Sequence, residues 1–421
     1  MGIMELKRTL NLFDSISIGI GAIVGAGIFV VVGIAIGYAG PAIVISMIIT
    51  AIVASFTAFS FAELGSAIPK QGGVYAFAYE IASPSAGFVV GHLWLFAQTV
   101  AGAAISLGFA GYFVAVFPFL SLKAVAVSIV LALTALNLVG IKQSAMVNNA
   151  LVLTKIAIIC LFIAFGIPRI SLANYSQFAP NGFFGVLQGA GFIFFAFLGF
   201  GRIAMLGEEV RNPNRTLPLS ILLSFATSAV IYVLTGLTAT GLQNYRLLAQ
   251  SDSPIADAAG AMGIPALVGV VSFGALVATV SVLLTTLIGL SRVSFAMARN
   301  GQIPKSMAKI HPRFGTPYVS ILVMGTLMAI LAFAFDLRQT SAITSSSILS
   351  THAVLNYCAI KLRKKIPDIR SFKAPLYPLI PSLGVVSCLI LLVSLPLESW
   401  LVLSIVVAAL MFWLVVKSNI R

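Results

Sequence analysis

The stretch Gly19-Ile20-Gly21-Ala22-Ile23-Val24-Gly25-Ala26-Gly27-Ile28-Phe29 is apolar enough to enter a bilayer, yet glycine interrupts it repeatedly. A second stretch does the same: Gly189-Ala190-Gly191-Phe192-Ile193-Phe194-Phe195-Ala196-Phe197-Leu198-Gly199-Phe200-Gly201. Glycine takes backbone angles that end a helix at no steric cost. Unwound main chain at membrane depth survives only against protein or water, because lipid cannot satisfy the freed amides and carbonyls. Two interrupted spans in corresponding places point to a transporter's binding site. Solute translocation is therefore the expected activity.

Composition sets the fold class. The 421 residues are 60% hydrophobic and 9% charged, with mean hydropathy +1.08. That is more apolar surface than a soluble domain of this length can hide, so the expected fold is an all-α polytopic membrane protein. Twelve transmembrane helices are expected, at 11–37, 41–66, 86–113, 121–139, 149–167, 183–206, 217–241, 264–292, 317–336, 340–361, 376–395 and 398–417. The short alternating strands of a membrane barrel are missing.

The net charge of +14 is placed by topology rather than for nucleic acid. With the N-terminus inside, nineteen Lys and Arg fall in cytoplasmic segments, and only Lys123, Arg169, Arg246 and Arg338 fall on the other side. This bias puts both termini in the cytoplasm. Lys7 and Arg8 precede a span longer than a signal-peptide core, with no small-residue cleavage site after it, so the first helix is expected to remain as an anchor. With tails of about ten residues or fewer, no attached signalling domain is expected. Cys160, Cys358 and Cys388 lie scattered through apolar spans without metal-ligand spacing and read as small buried hydrophobes. The plasma membrane is the expected location.

The spans divide into a tail (1–10), a first five-helix repeat (11–167), a second (183–361) and accessory helices eleven and twelve (376–417). Five is odd, so the second repeat starts on the opposite side from the first and the two are inverted. Residues after Pro69–Tyr75 are expected to form a short in-plane helix. The charged turn 207–217, ending before Pro218, and the segment 292–317 read equally as hinges and as solvated connectors.

Five motifs, in order from about residue 10 to 318, resemble those of the amino acid–polyamine–organocation superfamily, specifically its amino acid permeases. They are Gly25, Gly27 and Phe29 in the first span, and Glu63-Leu64-Gly65 at the end of the second through Pro69, Gly72-Gly73 and Tyr75 in the loop after it, which puts Glu63 at a loop edge. Phe194–Phe200 is similar to the family's sixth helix, and Glu208-Glu209-Val210-Arg211-Asn212-Pro213 with Thr216 and Pro218 to the loop after it. Arg292, Met297-Ala298-Arg299-Asn300-Gly301 and Pro304 are similar to the loop after span eight. The resemblance implies a LeuT-like 5+5 inverted repeat with discontinuous helices 1 and 6, a central site and alternating access.

The site is expected at the two breaks. If the helix unwinds around Gly25-Ala26-Gly27, the half restarting near Gly27 presents unpaired N–H groups and a positive dipole end to a carboxylate, with Gly25 and Gly27 allowing close approach. Carbonyls near Ile23, and around Phe194, Ala196, Phe197 and Leu198, can accept from an ammonium. A zwitterionic headgroup is thereby held without an ionised side chain at the midplane, which costs about 2.5–3.5 kcal/mol on insertion scales. Tight helix packing is the alternative reading of the same glycines. Phe195 resembles the aromatic that shuts over substrate in relatives, and a packing role is equally compatible with its sequence.

Lys155 lies well inside span five. It either snorkels to the cytoplasm or occupies the place where sodium-coupled relatives bind a cation. In the second case its ammonium joins carbonyls near Gly21 and Ala22 to hydroxyls such as Thr279 or Ser281, and loss of its proton releases them. A desolvated lysine gives up its proton more readily than a hydrated one. That favours proton symport, with amino acid exchange as the alternative. The chain departs from the family at Gly201, where many relatives have an acid. Arg202 follows and either favours acidic substrates or pairs with Glu208 or Glu209. Gln98, Thr99 and Asn356 are polar candidates for the side-chain pocket, and no acid at the midplane invites a cationic substrate.

Other classes fit less well. An enzyme needs convergent acids, bases or metal ligands, but His92, His311 and His352 fall in separate segments. A channel needs rings of charges or carbonyls around a continuous pore. Nutrient sensors of this kind carry long tails. No cofactor is expected; the expected partners are a small-molecule amino acid, a proton and the lipid bilayer.

Overall fold

The computed structural model describes residues 10–68, 72–140, 145–204, 210–366 and 372–419. The described chain is helical almost throughout. It begins with α1 (Leu12–Ile23), capped by a reciprocal pair in which Asn11 accepts from the Asp14 amide and Asp14 accepts from the Asn11 amide. An interruption, a π turn at Gly27–Val31 and α2 (Val32–Ala39) complete the first expected span. Then come α3 (Ile43–Ala67), α4 (Val74–Phe77), α5 (Pro84–Val116), α6 (Leu122–Val139) and α7 (Ala145–Gly166). The second interrupted element comprises α8 (Gly182–Ile193), a 3-10 turn at Phe194–Phe197 and α9 (Gly201–Ala204). It is followed by α10 (Pro213–Leu242), the short α11 (Tyr245–Gln250) and α12 (Pro254–Gly260), and α13 (Pro265–Arg299). The chain closes with α14 (Tyr318–Ala334), α15 (Leu337–Lys365), α16 (Leu379–Ser394) and α17 (Leu397–Asn419).

Eight helical stretches among the described residues are long and apolar enough to cross a membrane, one of them the 56-residue run Leu12–Ala67. Tyr318–Ala334 and Leu379–Ser394 are shorter apolar helices. Large exposed side chains on the outer helices are aliphatic or aromatic, including Leu131, Phe333, Ile390 and Phe412. Such a perimeter suits lipid rather than water. The architecture agrees with a polytopic membrane transporter.

The interrupted elements sit inside this shell. α1 packs against α10 and α7, α2 packs against α8, and the π turn meets the 3-10 turn. α5 runs beside α13, α14 and α15, and α15 packs against both turns. Three details depart from the sequence reading. Arg292 and Met297–Arg299 are helical, because α13 runs on to Arg299. Glu63, read as a loop-edge residue, is fully buried in α3, where Arg363 matches its charge. Cys160 is exposed on α7, and Cys358 and Cys388 are buried; all three are free thiols.

Candidate functional site

The first break falls at Val24-Gly25. α1 stops at Ile23 because Val24 is extended (φ −72°, ψ 100°), although its amide still reaches the Ile20 carbonyl at 2.8 Å. The helix restarting after that bend has no preceding turn to accept its first amides. The Phe29 amide finds the Gly25 carbonyl at 3.3 Å. The second break begins with the tight turn of Phe194–Phe197 and runs through Leu198, whose amide reaches the Phe195 carbonyl at 3.4 Å. Regular backbone resumes at Gly201, and the Arg202 amide donates to the Gly199 carbonyl at 3.0 Å.

The two breaks touch through glycine. A Cβ on Gly27 would lie 2.3 Å from the Ala196 Cα, and one on Gly199 would lie 2.2 Å from the Ala22 carbonyl carbon. No side chain can occupy either position without parting the main chains. Tyr232 of α10 fastens this crossing, its hydroxyl lying 2.7 Å from the Ile23 carbonyl and 3.0 Å from that of Ala196. Tyr112 of α5 donates to the Phe29 carbonyl at 2.6 Å. These two tyrosines escape a reading of the sequence, where a tyrosine in an apolar span looks like packing. The signal that could find them is the need for donors near freed carbonyls.

All the expected headgroup residues are buried at this crossing except Leu198, which is half-buried. Ile23 and Ala196 already share the Tyr232 hydroxyl, each carbonyl keeping a second lone pair. Phe194 packs edge-on to His352, Phe197 packs against Phe225 and Tyr232, and Phe200 packs against Phe61, Phe225 and His352. Phe195 has no ring partner among the described residues, which sets it apart from the other three.

Lys155 is 1% exposed, so it does not snorkel in this conformation. Its ammonium donates to the Gly21 carbonyl at 2.6 Å and to Ser281 Oγ at 3.3 Å. Thr279 instead donates to the Ala275 and Leu276 carbonyls of its own helix, and the Ala22 carbonyl faces Gly199. One turn along α13, Arg202 donates to Thr285 and Thr286, both at 2.7 Å. The expected pairing of Arg202 with Glu208 or Glu209 lies outside the described residues.

The pocket candidates separate. Asn356 is bound to Ser60 at 2.6 Å and Thr57 at 3.0 Å, so its amide ties α15 to α3. Thr99 donates to the Leu95 carbonyl, and Gln98 is buried on α5. Among the described residues no cluster of His, Cys, Asp or Glu has the makings of a metal site.

The sequence matches the family model described as amino acid permease over residues 14–418. It is 35% identical to the branched-chain amino acid permease of Bacillus subtilis, covering 94% of this chain and 89% of that one. It is also 35% identical to the methylthioribose transporter of the same bacterium, with 97% and 94% covered. A cationic amino acid transporter of Arabidopsis thaliana, described as chloroplastic, is 33% identical over 85% of this chain and 67% of its own length.

Proposed function

The chain belongs to the amino acid permease family of integral, multi-pass membrane transporters, which are not enzymes, and on that premise we propose that it is a secondary active transporter moving amino acids across the membrane by alternating access and proton symport. Twelve spans form a LeuT-like inverted repeat, 11–167 against 183–361, with 376–417 accessory and both termini in the cytoplasm of a cell bounded by this plasma membrane. The amino acid's carboxylate docks at the amides of Gly25, Ala26 and Gly27. Its ammonium is held by carbonyls of Ile23 and of Phe194, Ala196, Phe197 or Leu198, while Phe195 closes over it. One observation carries this reading: two broken helices cross through Gly27 and Gly199, with their carbonyls gathered on Tyr232.

Lys155 supplies the coupling. Protonated, it ties α1 to α13 through Gly21 and Ser281. Deprotonated, it keeps two N–H groups but loses the charge that strengthens both hydrogen bonds, and the tie to the carbonyl weakens. Gly21 and Ala22 are free to move, and the site opens inward; Thr279 supports the same region of α13.

The test is uptake by proteoliposomes under an imposed pH gradient, with a panel of radiolabelled amino acids. Wild-type protein should concentrate its best ligand when the outside is acidic. Lys155→Ala should bind that ligand yet lose gradient-driven uptake. Wild-type uptake by Lys155→Ala removes the coupling role, and uptake only against preloaded amino acid establishes exchange instead. Similarity to a methylthioribose transporter supports a second reading, an uncharged thiosugar as solute, so methylthioribose belongs in the panel.

A further inference from the structure

Within α15, three hydroxyls and one imidazole nitrogen are buried without a hydrogen-bond partner among the described residues: Thr344 Oγ1, Ser345 Oγ, Ser347 Oγ and His352 Nδ1. The three hydroxyl residues are 0% exposed and His352 is 4% exposed. Their neighbours on the same helix behave differently. Thr340, Ser341, Ser346, Ser350 and Thr351 all donate to carbonyls of the preceding turn. Closing on the backbone is the ordinary habit of hydroxyls in helices. Groups left open in a buried place call for a partner that comes and goes, water or ligand.

Their placement says which face is involved. At 100° per residue the four fall within about 160° of arc. Ser350, Val354, Tyr357 and Lys361, none of them buried, all lie outside that arc, although Ser346 and Ala353 on the same far side are buried too. The open groups therefore face inward, on a helix that packs against both interrupted segments. His352 fixes the register, its ring centroid standing 5.6 Å from that of Phe194 in the second break.

We propose that Thr344, Ser345, Ser347 and His352 form a subsite that reads the substrate beyond its headgroup and takes an uncharged, hydroxyl-bearing group. Each hydroxyl both donates and accepts, which is what a ligand hydroxyl requires of its surroundings. No carboxylate lies in α15, so a cationic group finds no counter-charge there. An aliphatic group would leave all four open groups unmatched. The proposal rests on the headgroup site of the preceding section.

Threonine and valine differ by a hydroxyl in place of a methyl, and they share the headgroup. Competition binding of the two to purified full-length protein in detergent isolates the subsite. A site built around a hydroxyl rejects the analogue lacking it, whereas an apolar pocket cannot strongly reject an isostere that adds one. The wild type should therefore prefer threonine by about tenfold or more. In Thr344→Val, Ser347→Ala and His352→Leu the ratio should fall toward one, with valine still competing. Thr344→Val is isosteric and preserves the fold if a smaller residue does not, which melting in detergent checks. Equal or tighter binding of valine by the wild type overturns the proposal and assigns the open groups to water alone. An unchanged ratio in all three variants overturns it as well. Binding of neither ligand, nor of any free amino acid, overturns the headgroup site and this subsite with it; discrimination lost while both bind overturns the subsite alone.

Discussion

Gly27 and Gly199 let the two breaks meet because neither carries a Cβ. Gly199 has the Ala22 carbonyl oxygen where a Cβ would come within 2.3 Å, and the neighbouring atoms are backbone rather than flexible side chain. Gly199→Ala should part the two breaks, cost about 1–3 kcal/mol of stability as overpacking does, and abolish measurable uptake. A melting curve and a transport assay on the same preparation check both. Gly263 has open space around it and a positive φ, so Gly263→Asn should leave uptake near wild type. Tyr232→Phe removes a hydroxyl that serves two carbonyls, and loses about 1–3 kcal/mol because both are left buried. Ligand affinity should fall with it, as the carbonyls lose the donor that aims them. The glycines were legible in the sequence because no other residue has their freedom. Tyr232 was not, since only the folded chain shows which tyrosine stands over a freed carbonyl.

At the scale of elements, helix existence followed from apolar length, and the breaks from glycine clusters. What remained hidden were polar ties between helices far apart in sequence. Glu63 illustrates this: it accepts from Arg363 Nε at 2.6 Å and Nη2 at 3.1 Å, and from the Ala374 amide at 3.0 Å. Arg363 also lies over the Tyr377 ring at 4.1 Å. One carboxylate thus joins α3, α15 and the approach to α16. Glu63→Gln should destabilise the protein by about 3 kcal/mol, as lost charge-assisted hydrogen bonds do, seen as a lower melting temperature in detergent. Arg363→Lys with Glu63 intact should also lower the melting temperature, because an ammonium lacks the planar fork that meets both oxygens. α15 is the other instructive element. Its hydroxyls made it the least apolar of the expected spans, and it is nonetheless enclosed by α3, α5, α16 and the two breaks.

At the scale of the whole molecule, the crossing has fastenings on both sides. Toward the α2 end, Arg338 donates to the Tyr38 hydroxyl and stands 5.3 Å from its ring. These residues border a surface cavity of about 580 Å³ that Asn181 and Gln188 also line. Toward the α1 end lie Lys155 with Gly21, Arg202 with Thr285 and Thr286, and Asn149 with Asp14 at 3.0 Å. In the alternating access proposed above, one set parts while the other holds. Arg338→Ala should raise the rate at which a cysteine at Gln188 reacts with a thiol reagent by about fivefold, equivalent to ~1 kcal/mol for the lost contact. Arg202→Ala should lower it, by favouring opening at the other end. Identical rates in all three proteins would mean that these contacts do not set the balance.

The most direct measurement is binding of the best amino acid ligand and of its carboxyl methyl ester to the purified protein, side by side. Broken-helix amides that hold a carboxylate should bind the free acid at least about a hundredfold more tightly than the ester, since charge-assisted hydrogen bonds are lost with the charge. Equal affinity for the two would contradict a headgroup held by main chain at the crossing of the two interrupted helices.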